Sequence, residues 1–169
     1  IIKKKTKTME IKIKLNGGIM PMRQHDDDAA FDLFVPNNVD LQPGRQVVDL
    51  KFSLEIPKGY AATIQPRSGF SAKGMEVYCN MTEFDGRRTE GVERLNADVI
   101  RGLVDSGYRG NVGVIVNVPC HFTGKRTLLQ GTRIAQMQIV PVPVVTLKEV
   151  EELSETDRGD GGFGSTGTK

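Results

Sequence analysis

Apolar residues recur at every second position in short runs along most of this chain, and each run is cut off by glycine or proline. Met9, Ile11, Ile13 and Leu15 alternate with Glu10, Lys12 and Lys14 and stop at Asn16-Gly17-Gly18. Leu50, Phe52, Leu54 and Ile56 alternate before Pro57-Lys58-Gly59, and Ala61 to Gln65 form another short run. Val112, Val114, Val116 and Val118 repeat the pattern, and the Ile134, Met137, Ile139 region and Val144 to Val150 extend it. Alternation over a few residues is the period of a half-buried strand, whereas an amphipathic helix repeats about every 3.6 residues. Residues 150 to 156 fit one helical turn at most. Many short strands separated by turn residues predict an all-β barrel or sandwich. At 169 residues and 38% hydrophobic, the chain suffices for one domain with its own core.

The remaining composition narrows the partners. Lys+Arg 23 against Asp+Glu 21 leaves +2, too small an imbalance for a nucleic-acid surface or an anionic membrane. Cys79 and Cys120 form no CxxC pair and have only His25 and His121 as further ligands, so the sequence offers no zinc site and reads as reduced, intracellular and cytoplasmic. No run is long enough for a membrane span. Residues 1–8, IIKKKTKT, precede Met9 and read as a leader or expression remnant, with the domain at 9–157. Residues 80–98 carry eight charges and little apolar material, and read as a long inserted loop, free to recruit a protein partner. From Arg158 the chain is mostly glycine and small polar residues, a flexible C-terminal arm over 158–169.

Several stretches carry chemistry. GLVDSGYRGNVG, from Gly102 to Gly113, places Asp105 at the mouth of a glycine-rich turn and Tyr108 three residues on, with apolar arms on both sides; it reads as a hairpin. Asp26 to Asp28 read as a solvated loop, whereas Asp32 lies among Phe31, Leu33 and Val35 and requires a partner for its charge. Pro66-Arg67-Ser68-Gly69 offers a guanidinium, a hydroxyl and an accessible backbone to an anion. Gln136, in GTRIAQ, presents an amide where a strand begins. Gly159, Gly161 and Gly164 have GxGxxG spacing, but the chain ends at Lys169 with no βαβ unit to make it a dinucleotide fold. The arm instead combines Arg158, Phe163, Ser165 and Thr166, a cation, a ring and two hydroxyls suited to closing over a nucleoside phosphate.

AAFDL (29–33), PRSG (66–69), GLVDSGYRG (102–110), GTRIAQ (131–136) and RGDGGFGST (158–166) resemble, in order, the five motifs of the homotrimeric deoxyuridine triphosphatase (dUTPase) family. The resemblance spans roughly Met9 to Gly167 apart from 80–98. Ala30, Phe31, Gly107 and Thr132 depart from the usual motif residues without removing a catalytic group.

That resemblance implies a distorted jelly-roll β-barrel, a homotrimer with sites shared between chains, and Mg²⁺-dependent hydrolysis of dUTP to dUMP and pyrophosphate. It implies Asp105 as general base and Asp32 as a supporting catalytic residue that either acts on the metal through water or holds the site together structurally. Arg67, Ser68, Gly69 and Gln136 hold the triphosphate, and Gly102, Leu103 and Gly113 read the base. Tyr108 packs on the sugar, and Arg158, Phe163, Gly164, Ser165 and Thr166 close over the nucleotide. No residue is expected to ligate Mg²⁺ directly. Two other readings stay open: a dCTP deaminase on the same fold, although no Glu occurs from Asn111 to Asn117 for its proton transfer, and a nucleotide-gated protein-binding module that uses 80–98.

Overall fold

The computed structural model describes residues 9–82, 85–119 and 124–161. In chain order these form β1 (Lys12–Leu15), β2 (Phe31–Phe34), β3 (Val39–Asp40), β4 (Gly44–Asp49), β5 (Phe52–Glu55), β6 (Tyr60–Gln65), the helix α1 (Ser68–Lys73), β7 (Met75–Thr82), β8 (Arg88–Leu95), β9 (Asp98–Ile100), β10 (Gly102–Asp105), β11 (Gly113–Val118), β12 (Lys125–Leu128) and β13 (Arg133–Pro141). The strands assemble into four antiparallel sheets, ordered β1-β5, β10-β6-β13-β2, β4-β11-β9 and β3-β12-β7-β8, around one core. This is the expected all-β, distorted jelly-roll barrel.

Alternation decides which side of each strand is buried. Along β11, Val114, Val116 and Val118 are at most 1% exposed, while Gly113, Ile115 and Asn117 face the other way. They meet Leu33, Leu50, Phe52, Ile64, Met75, Leu128 and Ile134 in the core, each such side chain contributing about 1.5–3 kcal/mol on burial. Strand β6 lies between β10 and β13, and Ala61 to Ile64 are all buried, so it is the fixed rod on which the neighbouring strands are mounted. No helix among the described residues is long and apolar enough to cross a membrane.

Two expectations are corrected. The charged segment 80–98 is not a loop: β7 and β8 form an antiparallel ladder running from Met75 opposite Leu95 to Thr82 opposite Arg88. Strand β7 also pairs with β12, and Met75, Val77 and Leu95 enter the core. Charge density misleads here because β8 is an edge strand, with one strand neighbour and an outer face in water. On its inner side Glu93 accepts from the buried Arg126, so an ion pair occupies that face of the strand. The second correction concerns 144–156. Strand β13 ends at Pro141, and residues 142–156 form neither a further strand nor the single helical turn. Pro141 and Pro143 have no N–H for a ladder, and Val144 and Leu147 stand 98% and 95% exposed. The leader 1–8 lies outside the described residues.

Candidate active site

The stretch 102–113 does not close as a hairpin. Strand β10 pairs with β6, Gly102 opposite Ile64 and Asp105 opposite Ala61. Strand β11 pairs instead with β4 and β9. The two arms therefore belong to different sheets, and a cleft of about 360 Å³ opens between them, lined by Gly102, Leu103, Asp105, Tyr108 and Gly113 of the expected site. Unpaired main-chain groups on strand edges are hydrogen-bonding positions waiting for a partner. A Cβ at Gly113 would lie 2.6 Å from Val47 Cγ1, so any larger residue would push the Val47 side chain from its place in the cleft wall. Val47, Ile64, Ile100 and Ile115 make up the apolar wall.

The turn that carries Asp105 is tied down by its own polar groups. Tyr108 N–H donates to the Asp105 carbonyl at 3.1 Å, and Arg109 Nη1 donates to the carbonyls of Ser106 and Tyr108 at 2.7 and 2.8 Å. The Tyr108 hydroxyl donates to the Asn111 carbonyl at 3.0 Å. The Asp105 carboxylate is exposed at the cleft and, among the described residues, has no hydrogen-bond or ion-pair partner. It is free to take a proton from water.

The residues expected to hold the triphosphate gather elsewhere. Asp32 on β2 is 9% exposed and stands opposite Gln136 on β13. It accepts from Arg67 Nε at 2.8 Å and Arg133 Nη1 at 3.3 Å, which supplies the partners its position in an apolar strand demands. Gln136 Nε2 donates to the Pro66 carbonyl at 3.1 Å and so ties β13 to the segment that carries Arg67, Ser68 and Gly69. Asp32, Arg67, Ser68 and Gln136 line a cavity of about 280 Å³, and Asp28, expected to be solvated, folds back on the amides of Gln24 and His25 at its rim. On the other side Arg67, Gly69 and Arg133 join Lys73 and Arg94 around a basic groove of about 420 Å³.

The described site residues other than Arg158 are thus brought together, but in two groups rather than one. The base cleft and the anion cavity share no residue. Asp105 lies opposite Ala61 at one end of β6, and Arg67 follows the other end; six extended residues span roughly 20 Å. Arg158 stands apart in the C-terminal segment, with its Nε on the Gly161 carbonyl at 2.9 Å, and Phe163, Gly164, Ser165 and Thr166 lie outside the described residues. Sequence reasoning missed α1, which begins right after Arg67, and the lining residues Val47, Ile100 and Asn111. It also passed over Arg133, whose signal was its place inside GTRIAQ. Among the described residues no three His, Cys, Asp or Glu side chains are grouped to hold a metal.

Comparison with known proteins places this geometry. The dUTPase family description matches residues 16–82 and 85–167. The deoxyuridine 5'-triphosphate nucleotidohydrolase of Clostridium tetani is 37% identical over 162 residues, covering 95% of this chain and 97% of its own length. That of Crocosphaera subtropica is 39% identical over 165 residues, covering 94% and 99%. The solved dUTPase of Staphylococcus bacteriophage 80alpha with dUPNHPP is 29% identical, covers 95% of this chain and 99% of its own, and superposes with a TM-score of 0.75. A jelly-roll barrel with a cleft that bears Asp105 and a separate cavity lined by Asp32, Arg67, Ser68 and Gln136, matched along nearly its whole length by such relatives, leaves one assignment: the chain belongs to the dUTPase family, and its activity is the hydrolysis of dUTP.

Proposed function

We propose that dUTP is hydrolysed in sites completed between the chains of a homotrimer, with the base cleft and Asp105 from one chain and Arg67, Ser68, Gly69 and Gln136 from another. The observation that carries this reading is the separation of roughly 20 Å along β6. A general base at the α-phosphorus and the groups on the terminal phosphates must lie within the reach of one triphosphate, and a single chain does not bring them that close.

In this reading uracil enters between the facing edges of β10 and β11, where its N3–H and O4 meet main-chain groups of Gly102, Leu103 and Gly113. Cytosine reverses donor and acceptor there, which leaves buried groups unpaired, a mismatch able to discriminate by about 10⁴-fold. Val47 and Ile115 crowd the position of a thymine methyl group. Tyr108 packs on the sugar and excludes a 2′-hydroxyl. Asp105 takes a proton from the water whose oxygen forms the new bond to the α-phosphorus, and the bond to the bridging oxygen breaks with its electron pair leaving on pyrophosphate. Arg67, Ser68, Gly69 and Gln136 stabilise that leaving charge, with Asp32 holding Arg67 in place. Arg158, Phe163, Gly164, Ser165 and Thr166 of the arm exclude water.

Mg²⁺ fits this donor set as an ion carried by the substrate. Asp32 is already committed to two guanidiniums, and the described residues offer no cluster of three acidic or imidazole groups. Triphosphate oxygens and waters would hold it, with Asp32 reaching it at most through water. When bound, it supplies charge neutralisation on the phosphates.

The test is complementation. Asp105→Asn and Arg67→Gln should each lose most turnover, Asp105→Asn with dUTP binding retained. A one-to-one mixture refolded together should recover roughly one quarter of wild-type activity, since that share of shared sites receives both intact groups. Absence of recovery in mixed trimers would show that the site lies within one chain.

A further inference from the structure

We infer that Asn111 is a positioning residue that fixes the Tyr108 ring and thereby sets the preference for a 2′-deoxy sugar; this rests on the reading of Tyr108 given above. Tyr108 is 48% exposed, so packing alone does not hold its ring. The side-chain restraint is the hydrogen bond from its hydroxyl to the Asn111 carbonyl, 3.0 Å, made across Gly110. Gly110 leaves room for that bond, since a Cβ there would lie 2.3 Å from the hydroxyl oxygen.

The carbonyl holds the ring only if it is itself held: Val112 N–H, in the same peptide group, donates to the Phe52 carbonyl at 2.7 Å, and the Asn111 side chain fixes the remaining freedom of the residue through three further bonds. Its Oδ1 accepts from Asn16 Nδ2, just past β1, at 2.8 Å and from Ser53 Oγ on β5 at 3.3 Å. Its Nδ2 donates to Asp49 Oδ2, at the end of β4, at 3.1 Å. A planar group with an acceptor on one side and a donor on the other is required, and only an amide supplies both at this length. Aspartate would face the Asp49 carboxylate with no donor, and alanine would release all three contacts. Asn111 also lines both the base cleft and a second cavity of about 470 Å³ behind it, bounded by Lys12, Lys14, Asn16, Ser53 and Arg109. Its main chain serves the cleft while its side chain is anchored at the back. Excluding one hydroxyl oxygen is a matter of about an ångström, and misplacement on that scale changes rates by orders of magnitude.

The experiment is steady-state kinetics of the full chain with dUTP, UTP and dTTP, for wild type and for Asn111→Asp, Asn111→Ala, Asn16→Ala and Tyr108→Ala. Both Asn111 variants should lower the dUTP to UTP ratio of kcat/KM by roughly tenfold or more. The dUTP to dTTP ratio, set by the base walls, should stay as in wild type. Asn16→Ala removes one anchor from outside the cleft and should move the sugar ratio the same way by less, which keeps the test open if an Asn111 variant fails to fold. An unchanged sugar ratio in the Asn111 and Asn16 variants, with Tyr108→Ala lowering it, overturns the inference and leaves the reading of Tyr108 intact. An unchanged ratio in Tyr108→Ala overturns that reading itself. A fall of the sugar and base ratios together would mean general loosening of the cleft, and also overturns the inference.

Discussion

Arg67 reaches from the start of α1 back to Asp32, Nε to Oδ1 at 2.8 Å, so the guanidinium proposed to hold the triphosphate is aimed by a carboxylate on β2, two positions from β6 in the sheet. Asp32→Ala removes that aim and leaves Arg67 and Arg133 facing each other without their shared acceptor. We expect kcat/KM for dUTP to fall by about 10²-fold, mainly through KM, and stability to fall by about 1–3 kcal/mol. Urea unfolding beside kinetics checks both. Near-normal KM would mean that the cavity aligns Arg67 without Asp32.

Removing the β7–β8 hairpin should be costly. Replacing 80–98 with a Gly/Ser link takes Leu95 and Ala97 from the core and Glu93 from the buried Arg126. The milder Glu93→Gln keeps the shape and should cost about 2 kcal/mol, because a charged donor at 6% side-chain exposure loses its carboxylate. Thermal unfolding of both variants checks this. A replacement that stays soluble with an unchanged midpoint would show that the barrel closes without the hairpin.

Asp40 links stability to pH. The Lys125 ammonium at 2.9 Å and the Thr127 hydroxyl at 2.8 Å hold its carboxyl below the usual carboxylate value. A carboxyl depressed in the folded state contributes stability above its unfolded value near 3.8, and that contribution is lost as pH falls through the lower folded value. Asp40→Asn should therefore be less stable than wild type at neutral pH and show a shallower loss on acidification below about pH 4. Denaturation midpoints between pH 2.5 and 7 measure it, and parallel curves would refute the linkage. Tyr78, raised by its bond to Glu90, works in the opposite sense, its contribution fading as pH climbs above 10.

Residues 142–160 are all exposed and add nothing to the core. A chain ending at Asp157 should keep the wild-type unfolding midpoint yet lose nearly all turnover. A large drop in the midpoint would reveal a structural role for the arm.

What the sequence disclosed follows from where the determining interactions lie. Strands such as β5 and β11 were legible because burial imposes a period of two on neighbouring residues. The five motifs were legible because each is contiguous. The hairpin at 75–95 was hidden because an edge strand needs few apolar residues, and its ion pair joins Glu93 to Arg126, 33 positions on. The splay of β10 from β11 was hidden because it depends on each arm choosing a different neighbour, and the letters GLVDSGYRGNVG are equally those of a closed hairpin. Asn111 reads as turn filler until Asn16, 95 residues before it, is seen at its side chain.

The parting of β10 and β11 has a consequence for the free amide protons. Alternate N–H groups along the inner edges of Gly102–Val104 on β10 and of Gly113 and Val114, which lie beyond the pairing of β11 with β9, have no strand across from them, so without nucleotide they exchange with deuterium from the folded protein rather than waiting for it to unfold. A ring lodged in the cleft slows a few of them and leaves those paired to β6 and β4 unchanged. Exchange at Gly102 and Gly113 therefore becomes a clock for occupancy, one that runs with a non-hydrolysable analogue as well as with substrate and reads the base separately from the phosphates.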